Sequence, residues 1–158
     1  MNISRNALLE EQTHRAGIQF EDHIHAGANY EIAVEHDGVI YVSGQIPRVC
    51  GKIVVTGRLG QDIPVESGRQ AARICALRAL AILRQSLGDL NRVKKILKLN
   101  VYVQSAQDFT QQSEVADAAS EILYSIFSPA GGHTRTSVGV YQLPKNAAVE
   151  LDMIVAFD

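Results

Sequence analysis

The sequence contains no Trp, and aromatic residues make up only 6% of it. Aliphatic side chains must therefore build most of any core. Cysteine is almost absent: Cys50 and Cys75 have neither metal-ligand nor disulfide-framework spacing, which points to free thiols in a reducing compartment. No apolar run approaches the ~20 residues of a membrane span. The start Met1-Asn2-Ile3-Ser4-Arg5-Asn6 is polar and lacks the apolar stretch of a signal peptide. An excess of one charge sign is also missing. The net charge of -2 creates no whole-protein field toward nucleic acid or an anionic membrane. Together these absences predict a cytoplasmic protein with no membrane partner and no nucleic-acid partner.

The 158 residues, 46% of them hydrophobic, suit one domain spanning 1–158 with a sizeable core. Residues 3–17 mix Ala7, Leu8, Leu9 and Ala16 with polar residues, which predicts an N-terminal helical extension ended by Gly17. Two strands follow over 30–46, turned by His36-Asp37-Gly38. Residues 48–63 read as a loop carrying a short strand. The clearest helix covers 65–87, with Ala71, Cys75 and Ile82 on its apolar face and Arg69, Arg73, Arg78 and Arg84 interleaved.

Over 93–104 the alternation predicts a strand with Val93, Leu97, Leu99, Val101 and Val103 on one face. Ile96, Lys98, Asn100 and Tyr102 fall on the other. Lys94, Lys95 and Lys98 read as a solvated sheet edge. A second helix covers 110–127, and strands over 134–142 and 148–157 close the chain. This order predicts an α+β fold: a mixed sheet with two helices packed on one face. The aliphatic strands predict that another subunit covers the other face.

Four segments carry a resemblance. They are Tyr30 with V-I-Y-V-S-G-Q-I-P at 39–47; T-G-R-L-G at 56–60; L-G-D-L-N-R-V-K-K at 87–95; and H-T-R-T-S-V-G-V at 133–140 followed by Val149-Glu150-Leu151. In this order and spacing they resemble the YjgF family of reactive-intermediate (imine/enamine) deaminases, from about residue 24 to the C-terminus. The resemblance implies a chorismate-mutase-like fold, a homotrimer with a central β-barrel, and clefts between subunits. It also implies hydrolysis of 2-imino and enamine acids to 2-keto acids and ammonia. The longer N-terminus and the T-G-R-L-G and P-A-G-G-H loops are similar to a subgroup often labelled endoribonuclease L-PSP or chorismate-mutase-like.

By the resemblance, Arg135 holds a substrate carboxylate, a task its planar guanidinium suits through two parallel hydrogen bonds. The plain alternative is an ion pair with an acidic neighbour. Glu150 matches the family's glutamate and is expected to orient water or take up a proton. Alternation with Val149 and Leu151 puts it on the face opposite them. Its plain alternative is to pair with Arg135 and fix its rotamer. Tyr30, Ser43, Gly44 and Phe109 match family cleft positions, against the plain readings of interface tyrosine, strand-ending turn and helix-start staple. Ser137 departs from the pattern, because many members carry Cys there. That excludes a thiolate mechanism at this position but not imine hydrolysis, which needs orientation of substrate and water.

His133 lies beside the expected site, although a loop His at a strand start more often faces solvent. His23 and His25 alternate, but no further Cys/His cluster completes a zinc set, so no metal is expected. No phosphate-binding glycine loop is present, and no cofactor is expected. The expected partner is a small-molecule carboxylate. The leading function is an imine deaminase. A non-catalytic keto-acid-binding module is the alternative, and an endoribonuclease using His133 and Glu150 ranks third because no basic stripe accompanies them.

Overall fold

The computed structural model describes residues 3–158; Met1 and Asn2, part of the polar start noted above, lie outside them. Helix α1 (Arg5–Arg15) is capped by the Ser4 side chain, which accepts from the Ala7 N–H. Strands β1 (Ala33–His36) and β2 (Val39–Gln45) form a hairpin. Its two turn residues, Asp37 and Gly38, both have positive φ, as a two-residue turn of the favoured twist requires. A small second hairpin pairs β3 (Arg48–Val49) with β4 (Lys52–Ile53). Then come α2 (Val65–Leu87), β5 (Val93–Gln104), α3 (Gln112–Phe127), β6 (Thr134–Val140) and β7 (Val149–Phe157).

The five-stranded sheet runs β1-β2-β7-β5-β6. It is mixed: β6 lies parallel to β5 across the α3 connection, and the other neighbours are antiparallel. Helix α2 packs over β2 and β7, and α3 over β5 and β6, while α1 lies against α2 and α3. Ala71, Ala72, Ala76 and Ala79 are fully buried, and their small side chains let α2 approach the sheet closely. Leu77 and Leu80 are buried too, because α1 and α3 flank α2 on its other sides. The α+β architecture with helices on one sheet face is as expected, with α1 as a third helix.

Two expectations for β5 are corrected. Register shifts between Val93 and Lys95 and between Ile96 and Lys98 rotate the strand's first half. Ile96 is therefore buried and Leu97 exposed, the reverse of strict alternation. The lysines do not mark a sheet edge, since β5 lies inside the sheet, and Lys98 Nζ donates across to Thr136 Oγ1 on β6. The edges are β1 and β6. The sheet face away from the helices exposes Val34, Tyr41 and Val138. Among the described residues no helix is long and apolar enough to cross a membrane.

Candidate functional site

Glu150 enters β7 between the buried Val149 and Leu151 and so projects from the sheet face away from the helices. It shares that face with Tyr102, its register partner, and with Asp152. Burial, and secondarily the negative charge of Asp152, raise its pKa above the ordinary glutamate value. The β2 backbone makes room for it. The register of β2 on β7 shifts between Val42 and Gln45, and a Cβ on Gly44 would overlap Glu150 Oε1. Gly44 therefore permits the carboxylate's position.

Glu150, Gly44 and Tyr30 line one cleft of about 200 Å³. Arg48, Arg78 and Lys145 line it as well. Tyr30 is 53% exposed at this cleft. A larger cavity, about 690 Å³, lies beneath α1, but none of the expected site residues reaches it, and its Arg84 and Glu10 pair with each other at 3.1 Å. The smaller cleft is the candidate site because Glu150 stands in it.

Arg135 does not join this cleft within one protomer. Its register partner is Leu99, which in turn faces Met153, both buried under the helices. Arg135 therefore points toward α3, where Nη1 donates to Asp117 Oδ1 at 2.8 Å and to Ser120 Oγ at 3.1 Å. The expected Arg135–Glu150 pairing is corrected accordingly: inside a single chain the two groups occupy opposite sheet faces, and the carboxylate that holds the guanidinium is Asp117. Ser137 follows Arg135 by two and shares its side of β6.

His133 belongs to the same cluster. Its Nδ1 lies 2.6 Å from the Gly131 carbonyl, which can only accept, so Nδ1 carries the proton. Nε2 is then free to accept from Ser120 Oγ at 2.9 Å. His133 thus steadies Ser120, and Ser120 steadies Arg135. Phe109 packs against Gly60, at 3.0 Å from where its Cβ would be, and does not line the Glu150 cleft. The Ser43 hydroxyl is committed to the Glu31 carbonyl at 2.7 Å.

The sequence reading missed Arg78 as a site residue. Its side chain is 5% exposed. Nε donates to Gln45 Oε1, and Nη1 to Glu21 Oε1 and the Arg48 carbonyl, each at 3.0 Å. The signal was present: Arg78 continues the apolar stripe Ala71, Cys75, Ile82 at helical spacing, unlike the other three arginines of α2.

Residues 10–156 match the sequence family described as YjgF/chorismate mutase-like, a description that also carries an endoribonuclease label. The chain belongs to the YjgF/chorismate mutase-like family. It is 40% identical over 156 residues to Protein TCP17 of Trypanosoma cruzi, covering 98% of each chain. A crystal structure of Atu1372 from Agrobacterium tumefaciens, described as of unknown function, superposes with a TM-score of 0.87 at 36% identity, covering 98% of this chain and 96% of that one. A more distant YjgF relative, 31% identical over 130 residues, is the 2-iminobutanoate/2-iminopropanoate deaminase of Dermatophagoides farinae. That match covers 82% of this chain and 86% of the relative.

Proposed function

We propose that the protein hydrolyses reactive 2-imino and enamine acids to 2-keto acids and ammonia, in a cleft completed by a second copy of the chain. The observation that carries this reading is the cleft carboxylate Glu150, raised in pKa and free of any ion pair within 4 Å among the described residues. A base whose pKa is raised toward the working pH both accepts and returns a proton. Water attacks C2 of the iminium while Glu150 takes one of its protons, giving a carbinolamine. Glu150 then returns that proton to the nitrogen, and as a carboxylate again takes the hydroxyl proton while the C–N bond breaks, so that ammonia leaves and the C2 carbonyl of the keto acid forms. The imine is already electrophilic, so no enzyme nucleophile is needed.

The carboxylate clamp in this reading is Arg135 from the second copy, because the protomer's own Arg135 lies across the sheet from Glu150. Arg135 sits on the edge strand β6, where an adjoining copy can be reached. Val34, Tyr41 and Val138 on the open face supply apolar surface for the homotrimer that the family resemblance implies. The relationship to a named imine deaminase supports the same chemistry. An endoribonuclease pairing of His133 with Glu150 receives no support, since both ring nitrogens of His133 are engaged, one by the Gly131 carbonyl and one by Ser120 Oγ. If the cleft instead binds a keto acid without turnover, a ligand raises the melting temperature and no ammonia is released.

The test is an imine-trapping assay. An amino-acid oxidase generates the 2-imino acid in place while a trapping reagent competes for it. The proposal predicts faster formation of keto acid and ammonia with wild-type protein and no acceleration with Arg135→Ala. No acceleration by a folded wild-type oligomer on several imino acids would sink the deaminase reading.

A further inference from the structure

The cleft is richer in positive charge than monocarboxylate chemistry requires. Its lining holds Arg48, Arg78 and Lys145 against Glu150, and with Glu21 balancing Arg78 from behind, Arg48 and Lys145 remain as cations without an ion-pair partner among the described residues. Arg78 is the built part of this feature. Three bonds, to Gln45, Glu21 and the Arg48 carbonyl, fix the plane of its buried guanidinium. The remaining nitrogen, Nη2, makes no hydrogen bond among the described residues and is not a buried orphan, so it is accessible from the cleft that Arg78 lines. That free N–H pair is a ready donor for an anion entering the cleft. Arg48 and Lys145 stand beside it in the same lining and add positive charge there. Lys145 is also held there by its backbone, at φ 60 within the turn before β7.

We infer that the cleft has a second anion subsite, built on Arg78 Nη2 with Arg48 and Lys145, and that its preferred ligands are short dicarboxylates: 2-imino acids whose side chain ends in a carboxylate. The inference rests on the deaminase reading for the chemistry at C2, but the subsite lies within one protomer. The α-carboxylate goes to Arg135 of the second copy, and the distal carboxylate goes to Arg78. A planar guanidinium with its orientation already fixed suits a carboxylate well.

Calorimetric titration of the full-length protein with 2-oxoglutarate and with 2-oxobutanoate tests this directly. The diacid is expected to bind at least ~10-fold more tightly. The double variant Arg48→Ala/Lys145→Ala, which removes two cleft-lining side chains that make no hydrogen bond to the Arg78 network and keeps the Arg48 carbonyl, is expected to cut that ratio to within a few-fold. Equal affinities, absence of diacid binding, or a diacid preference unchanged in the double variant overturns the inference. The imine-trapping assay separates the two claims. Hydrolysis of 2-iminopropanoate without any diacid preference leaves the deaminase reading standing and removes the subsite. A diacid preference without hydrolysis of any imine does the opposite.

Discussion

Arg135 and Glu150 project from opposite faces of the same sheet: Arg135 reaches Asp117 on α3 at 2.8 Å, and Glu150 shares the open face with Tyr102 and Asp152. A site that uses both must therefore take them from different copies of the chain. One protomer then supplies the cleft and its base, and another supplies the carboxylate clamp.

Gly44 carries a packing prediction. Its φ is not in the left-handed region, so alanine is tolerated by the backbone, yet a Cβ would overlap Glu150 Oε1 and stand 3.1 Å from Cδ. The flexible end of Glu150 yields rather than the strand. Gly44→Ala is expected to cost at most about 1–2 kcal/mol of stability, while imine hydrolysis falls at least tenfold. Denaturant unfolding beside the trapping assay separates the two effects.

Acid dependence follows from Glu150. Its pKa is raised, first by burial and then by Asp152, so its base form is lost at a higher pH than for an ordinary glutamate. The rate kcat/KM is expected to fall as pH drops through that raised value. Asp152→Asn removes the neighbouring negative charge and should move this acid limb to lower pH. A pH–rate profile of both proteins reads the shift.

The Arg78–Glu21 pair predicts a stability effect. Burial pushes the Glu21 carboxyl up, but hydrogen bonds from its own backbone N–H and from Arg78, the positive charge of Arg78, and the Cys50 backbone together outweigh it, and the net direction is down. A carboxyl lowered in the folded state adds stability above its unfolded pKa and loses it as pH falls through the folded value. Arg78→Met, which leaves Glu21 facing a gap, is expected to cost about 3 kcal/mol at neutral pH. Glu21→Gln in the same chain should recover part of that loss. Urea unfolding of the two single variants and the double, at neutral and acid pH, measures the coupling.

Arg135 separates binding from stability. Its pair with Asp117 is partly exposed, at 23% and 53% of the two side chains, so it contributes at most about 1 kcal/mol. Arg135→Ala should therefore shift the melting temperature by only a few degrees and yet lower kcat/KM about a hundredfold, the order of a lost charge-assisted carboxylate contact. Asp117→Asn keeps the guanidinium and the Ser120 contact, and its loss of activity should be much smaller.

The element boundaries were legible because hydrophobic period and turn chemistry agree along most of this chain. Helix α2 ends where Gly88 takes positive φ, and the β1–β2 hairpin turns at Asp37-Gly38. Periodicity could not foresee the β5 bulges, which exchange Ile96 and Leu97, because strict alternation assumes an unbroken register. Nor could it place β5 inside the sheet, since strand order depends on how α3 returns the chain to β6. Glu150, Gly44 and Tyr30 line one cleft, and Ser43 and Phe109 do not line it. The partners of Arg135 and the burial of Arg78 depend on contacts between residues far apart in sequence, which local spacing does not encode.

The most direct measurement is complementation between two inactive variants. Arg135→Ala and Glu150→Gln are purified separately, then unfolded and refolded together, with mixed oligomers verified by native mass spectrometry. Each variant alone should fail to accelerate imine hydrolysis, and the mixture should regain a substantial part of wild-type activity. In a mixed oligomer, Arg135 of one chain and Glu150 of another rebuild an intact cleft. A verified mixture that stays inactive, or a single variant that keeps full activity, would contradict a site shared between copies of this chain.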